Sequence, residues 1–269
     1  MKLAPILSAG LALLVAACGA DIWSDSKGDS YDSSLKQADE ARKAGDLSAA
    51  IPLYGRALDA NPTGVAAKLG LGQAYLSVGM TDEAAALFRD VLDKKAGNQT
   101  ARRGLAMALI AMGQPELAER QLDAALLADG RDYRTLNAYG VVLDMMGRHT
   151  EAQTRYRQGI ELAPDYVPLR SNFGLSLAIS GQPQEAIAQL VPLANSRAAD
   201  ARVRQNLALA YAMNGDLENC LLVSRKDLDE QSAQRQLSYF MQLKALPIEA
   251  RSAELRRNPN FFPQSSGGA

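Results

Sequence analysis

Glycine recurs at positions 45, 79, 113, 147, 181 and 215, a spacing of 34 residues every time with no insertion. The residues after each glycine are alike. "GDLSAAIPLYGRALDANP" (45–62), "GMTDEAAALFRDVLDKKA" (79–96) and "GRHTEAQTRYRQGIELAP" (147–164) each carry an alanine five positions on and an aromatic ring four positions after that. A chain that repeats without drift folds as like units, each burying its apolar face on its neighbours. Apolar residues make up 47% of the 269 residues. Many of them are alanine, and runs rich in Val, Ile and Thr are absent, so the expected fold class is all-α.

Each unit reads as two antiparallel helices, A then B, with the periodic glycine at the turn between them, where a positive φ is needed. Small residues belong where helix axes come closest. In helix A these are Ala38, Gly72, Ala106, Gly140, Gly174 and Ala208; in helix B they are Ala50, Ala84, Ala118, Ala152, Ala186 and Cys220. Tyr54, Tyr75, Phe88, Tyr156, Leu190 and Tyr211 fill the space beside them, and Pro62 and Pro164 end helix B. "KLGLGQAYLSVGMTDEAAALF" (68–88) carries Leu71, Gly72 and Tyr75, then Ala84 and Phe88. This pattern resembles the tetratricopeptide repeat, with its usual tryptophan missing. The resemblance implies a right-handed α-solenoid of about six helix pairs over residues 31–234 and a concave groove walled by helices A. Capping helices are expected at 235–257, with Leu237, Phe240, Met241 and Leu243 or Lys244 bounding one face of the first. A flexible tail is expected at 258–269, with Phe261 and Phe262 packed back onto the last helix.

The N-terminus reads as a targeting signal over residues 1–17. Lys2 precedes the apolar stretch "LAPILSAGLALLVAA" (3–17), which is shorter than the roughly 20 residues a spanning helix needs. "LVAAC" (14–18) resembles the lipobox of bacterial lipoproteins. That resemblance implies cleavage before Cys18, acylation of its thiol and amine, and, from Gly19 in place of aspartate, anchoring in the outer membrane facing the periplasm. Several acyl chains give a stable anchor where one is marginal. Residues 18–30 are then the lipidated cysteine and a flexible linker, the Ser-, Asp- and Gly-rich stretch running on to Ser34. Trp23 fits a lipid interface or an end of the helical domain equally well. Cys220, the other cysteine, reads as an alanine substitute at a close helix contact, and no disulfide is expected.

No catalytic constellation is legible. His149 is the only histidine and reads as a surface residue of an interhelix turn. No metal set, nucleophile–base pair or phosphate loop is found, and the acidic residues read as solvated helix surface. An enzyme, a cofactor, a metal and a small-molecule substrate are therefore not expected. With a net charge of −1 there is no electrostatic case for nucleic acid.

What remains is the groove, and its wall positions derive from the tetratricopeptide resemblance. Its candidate partner-binding residues are Arg103, Met107 and Ile110; Arg134, Asn137, Val141 and Met145; Asn172, Leu175 and Ile179; and Arg202, Asn206, Leu209 and Met213. The floor is apolar and includes adaptable methionines, and the mouth is basic, which suits an amphipathic helix or an apolar peptide with acidic flanks. Asn172 and Asn206 match asparagines that hold a bound peptide's backbone in the family. Of the family's carboxylate clamp, only Asn172 with Arg202 is present.

"RVRQNLALAYAMNGDLENCLLVSRKDLDEQSAQRQLSYFMQLKAL" (202–246) is similar to the end of TadD-type tetratricopeptide-repeat lipoproteins of the tight-adherence (Flp pilus) system. The shared elements are "RQNLALAYA", a "KDL" ending the sixth helix B, and a cap helix ending "LSYFMQL". The resemblance implies a pilotin-like assembly factor whose groove binds a protein partner, a secretin segment or another pilus-assembly subunit, with membrane contact through the lipid anchor. The alternatives are a general periplasmic scaffold or chaperone, and a regulator of a cell-wall enzyme.

Overall fold

The computed structural model of the chain describes residues 19–258, with side chains at residue 28 and from residue 30 onward. The expected signal segment, Cys18, the side chain of Trp23, and Phe261 and Phe262 lie outside the described residues. Among the described residues there are fourteen α-helices. None is long and apolar enough to cross a membrane. The described residues divide into two compact units, with the boundary after Gly70.

The first unit contains α1 (Gly19–Lys43), α2 (Leu47–Ala60) and the start of α3 (Val65–Ser77). The linker expected over Gly19–Ser34 is helical here from Gly19 onward. Its composition disfavours an isolated helix, but once residues 31–43 pack on α2, each further residue adds a hydrogen bond without a new nucleation cost. Tyr31 fills the space beside Gly64, and Tyr54 the space beside Gly70. The Tyr54 hydroxyl donates to Asp39 and accepts from Arg42 Nε at 3.0 Å. Burial, with Asp39 beside it, pushes that hydroxyl up to about 12.

The second unit begins within α3. It continues with α4 (Thr81–Lys94), α5 (Gln99–Ala111), α6 (Pro115–Ala128), α7 (Tyr133–Met145), α8 (His149–Leu162) and α9 (Val167–Ile179). Then come α10 (Pro183–Ala194), α11 (Ala201–Asn214), α12 (Leu217–Ser224), α13 (Glu230–Ala245) and α14 (Ile248–Arg257). α5, α7, α9 and α11 are helices A; α4, α6, α8, α10 and α12 are helices B. All six periodic glycines have positive φ, between 72° and 88°, so each A–B turn needs the conformation that only glycine adopts without strain. The close contacts also fall where the period places them. A methyl group on Gly140 would stand 2.3 Å from a ring carbon of Tyr156, and one on Gly104 would stand 2.4 Å from Phe88. Cys220 is fully buried, and burial pushes its thiol up to about 11.

The array departs from its period at the end. The sixth helix B was expected to run through "KDL", but α12 stops at Ser224 after eight residues, where α4, α6 and α8 each have fourteen. α13 begins soon after and packs on α11 and α12 through Ala233, Phe240 and Leu243. Leu237 is half-buried and Met241 exposed. α14 then does not continue the stack: it packs on α13 and turns back onto α7 and α9.

Candidate protein-binding groove

Helices α5, α7, α9 and α11, with Gln73 of α3, line a cavity of about 260 Å³. At that size it seats one or two side chains of a bound segment, below the range of ordinary small-molecule sites. Seven of the residues expected to wall the groove meet here: Arg103, Met107, Arg134, Asn137, Val141, Asn172 and Arg202. Ile110, Met145, Leu175, Ile179, Asn206, Leu209 and Met213 do not. All of these absent residues are buried between helices; Leu175 and Leu209 share the helix-A register of the cavity residues Met107 and Val141 but are taken up by packing in the later repeats.

The two asparagines behave differently from their expectation. Asn206 donates to Ser171 Oγ at 3.0 Å and to the Ser171 carbonyl at 3.3 Å, so its amide is spent tying α11 to α9. Asn172 donates to Asn137 Oδ1 at 3.0 Å, joining α9 to α7 at the cavity wall.

Three arginines and one aspartate line the cavity, and the arginines are not equivalent. Arg103 Nη1 lies 2.6 Å from Asp132 Oδ2, and its Nη2 donates to Thr100, so its charge is matched. Burial pushes this guanidinium down, with Asp132 opposing. Arg202 is pushed down by burial as well, with Asp200 opposing. Arg134 has no carboxylate partner among the described residues. It is held by two tyrosines instead, 4.7 Å from the ring centre of Tyr133 and 5.8 Å from that of Tyr166, whose hydroxyl it also meets by a hydrogen bond, and the two tyrosines meet edge to face at 4.9 Å. A guanidinium stacked on aromatic faces keeps its hydrogen-bonding fork available to an anion.

Sequence reasoning missed Tyr133 and Tyr166, although the signal was present. Positions 98, 132, 166 and 200 share one register, the residue before each helix A. Asn98, Asp132 and Asp200 each accept a backbone N–H there as helix caps. Tyr166 makes no such cap, and the break in the register marks a side chain used elsewhere.

His149 was expected at the surface and is buried, as is Asp144 in the preceding turn of chain. Asp144 Oδ1 takes His149 Nδ1 and the Ser176 hydroxyl, each at 2.7 Å, and Oδ2 takes the Tyr156 hydroxyl at 2.9 Å. Burial pushes the Asp144 carboxyl up, and these three partners pull the other way. Ser252 Oγ lies 3.3 Å from His149 Nε2. Serine, histidine and aspartate thus stand in the order of a hydrolytic triad, but Ser252 is 1% exposed. A nucleophile must meet its substrate, so this set serves packing.

Residues 35–99 and 75–138 match two family profiles described as tetratricopeptide repeats. The protein y4yS of Sinorhizobium fredii is 40% identical over 97 residues, covering 36% of this chain and 53% of its own. The type IV pilus assembly protein PilF of Pseudomonas aeruginosa is 30% identical over 122 residues, covering 45% of this chain and 48% of PilF. The chain spans about half the length of each of these relatives. A solved structure of PilF superposes over 80% of this chain and 99% of its own with a TM-score of 0.56 at 14% identity, a likeness of fold alone. A thermophilic tetratricopeptide-repeat protein of Thermus thermophilus superposes over 67% of this chain and 98% of its own with a TM-score of 0.63 at 22% identity. With its in-phase turns, its helix-pair packing and these structural likenesses, the chain has an all-α fold of tetratricopeptide type, and residues 35–138 match tetratricopeptide repeats.

Proposed function

We propose that this protein is a membrane-anchored interaction scaffold, a pilotin-like assembly factor of a tight-adherence (Flp pilus) secretion machinery, and that its groove binds a segment of the secretin. The observation that carries the binding reading is Arg134, a cation held by Tyr133 and Tyr166 without a carboxylate partner, at a cavity shared with Met107, Asn137 and Asn172. An acidic side chain or a terminal carboxylate next to an apolar residue matches that lining in charge and polarity. The pilus reading draws support from the name of PilF and from the resemblance of residues 202–246 to TadD-type proteins.

The anchoring role rests on the "LVAAC" motif. Acyl chains on Cys18 hold the protein at the inner leaflet of the outer membrane. A captured secretin segment is thereby concentrated where the ring must assemble, an effective-concentration gain that needs no further contact. The test is binding of purified secretin periplasmic segments to the wild type and to Met107→Asp and Arg134→Glu chains. Binding that falls at least tenfold in both variants supports the reading. Equal binding by folded variants removes the groove from it.

A further inference from the structure

α14 is placed unlike any other helix of the array. It packs on α7, α9 and α13 and meets the helices B at the first residue of α8, His149. Its path tracks the A–B turns backward along the chain. Lys244 Nζ at the end of α13 is 3.4 Å from where a Cβ of Gly215 would stand, and Ile248 Cδ1 is 3.3 Å from that of Gly181. Ser252 reaches His149, just past the turn at Gly147. Lys244, Ile248 and Ser252 are evenly spaced along the sequence, so successive stretches of the segment meet successively earlier turns.

Its fastening is small in area and largely polar. Only Ser252 and Leu255 are fully buried, whereas Ile248, Glu249, Arg256 and Arg257 are exposed. The Arg251 guanidinium donates to the carbonyls of Ile179, Lys244 and Leu246 at 3.1 to 3.2 Å. Ile179 is the last residue of α9, so its carbonyl lies among those that a helix leaves unpaired and partly negative. A short helix with two buried side chains, joined through Leu246 and Pro247, belongs to the weakly held end of a structure.

The buried polar shell beneath it is complete without it. The acceptors of Asp144 are filled by His149, Tyr156 and Ser176, all outside α14. His149 Nε2, on the far side of the ring from Asp144, stands within reach of an incoming hydroxyl. The surface therefore offers an imidazole nitrogen, a helix-end carbonyl and an apolar seat. We propose that this surface, at the C-terminal ends of α7 and α9, is a helix-docking site that α14 fills in cis. A partner helix that displaces α14 carries the same chemistry: an arginine, then a serine or threonine, then a leucine three residues later. The proposal does not depend on the partner being a secretin.

The probe is a labelled synthetic peptide of residues 247–258, tested on the full chain and on its Leu255→Asp variant, which frees α14. A peptide with serine 252 changed to alanine and leucine 255 to aspartate is the control. The native peptide is expected to bind the variant at least tenfold more tightly than the wild type, and the control peptide is not. Equal binding of both peptides to the variant overturns the proposal. Amide exchange of the wild-type chain tests it without a substitution. α14 is expected to exchange at least a hundredfold faster than the centres of α7 and α9, and exchange of all three at one rate makes α14 a permanent brace.

Discussion

His149 Nδ1 lies 2.7 Å from Asp144 Oδ1, and both side chains are buried where α7 turns into α8. Tyr156 and Ser176 complete the shell of the carboxylate, so one aspartate joins α7, α8 and α9. Replacing Asp144 with alanine leaves three buried donors facing each other. The expected loss is about 3–5 kcal/mol, the range for breaking a buried polar pair by removing one partner. A shift in denaturation midpoint measured by circular dichroism checks it, and a loss below about 1 kcal/mol contradicts this account of the junction.

Glycine has two separate uses here, and alanine tells them apart. In Gly140→Ala the new methyl meets the buried ring of Tyr156 at 2.3 Å, with an expected cost of about 1–3 kcal/mol from overpacking. Gly55, inside α2, has nothing within 4 Å of its Cβ position. Gly55→Ala is expected to stabilise its helix by about 0.5–1 kcal/mol. Equal effects of the two substitutions in a denaturation series would count against the packing at Gly140.

The thiol of Cys220 gives a pH-dependent readout. Burial pushes it up to about 11, so the folded chain holds this proton more tightly than the unfolded chain does. The linked stability is intact below the ordinary thiol value of about 8.5 and is lost as pH rises toward the folded value. Iodoacetamide at pH 8 is expected to leave Cys220 unmodified in the folded protein and to label it at once in denaturant. Rapid labelling of the native chain would show an accessible thiolate.

The arginines of the cavity separate binding from stability. Arg103→Ala removes the cation from Asp132, which keeps only the Arg134 backbone N–H and the Thr135 hydroxyl, and is expected to destabilise the chain by about 1–3 kcal/mol. Arg134→Glu loses ring stacking and a hydrogen bond to Tyr166 at a half-exposed site, about 1 kcal/mol, while reversing the charge offered to a partner. Parallel denaturation and binding measurements are expected to place the larger stability loss on Arg103 and the larger binding loss on Arg134. The opposite pattern removes Arg134 from the binding face.

The repeat geometry was legible because it is enforced locally: a positive φ at Gly147 and a missing Cβ at Gly140 leave the same residue types at the same spacing in every unit. Residues whose partners lie outside the period were not legible. His149 meets Ser252 across 103 residues, and no periodic signal connects a turn in the fourth repeat with the last helix. The groove residues were chosen from helix-A positions that the family uses for contact. Met107 and Arg134 line the cavity, whereas Leu175, in the same register as Met107 two repeats on, and Ile179 are taken up by neighbouring helices. Tyr166 was discoverable as the one aromatic in a register of capping residues.

The central claim is capture of a secretin segment by the Arg134 side of the groove at the membrane. The most direct measurement is affinity capture of the full-length chain from gently crosslinked, detergent-solubilised envelopes, with Arg134→Glu and Cys18→Ser chains beside the wild type. The account predicts a secretin enriched by the wild type, lost with Arg134→Glu, and reduced when the anchor at Cys18 is removed. Recovery of a cell-wall synthase or of many unrelated clients, or a secretin yield indifferent to Arg134→Glu, would contradict it.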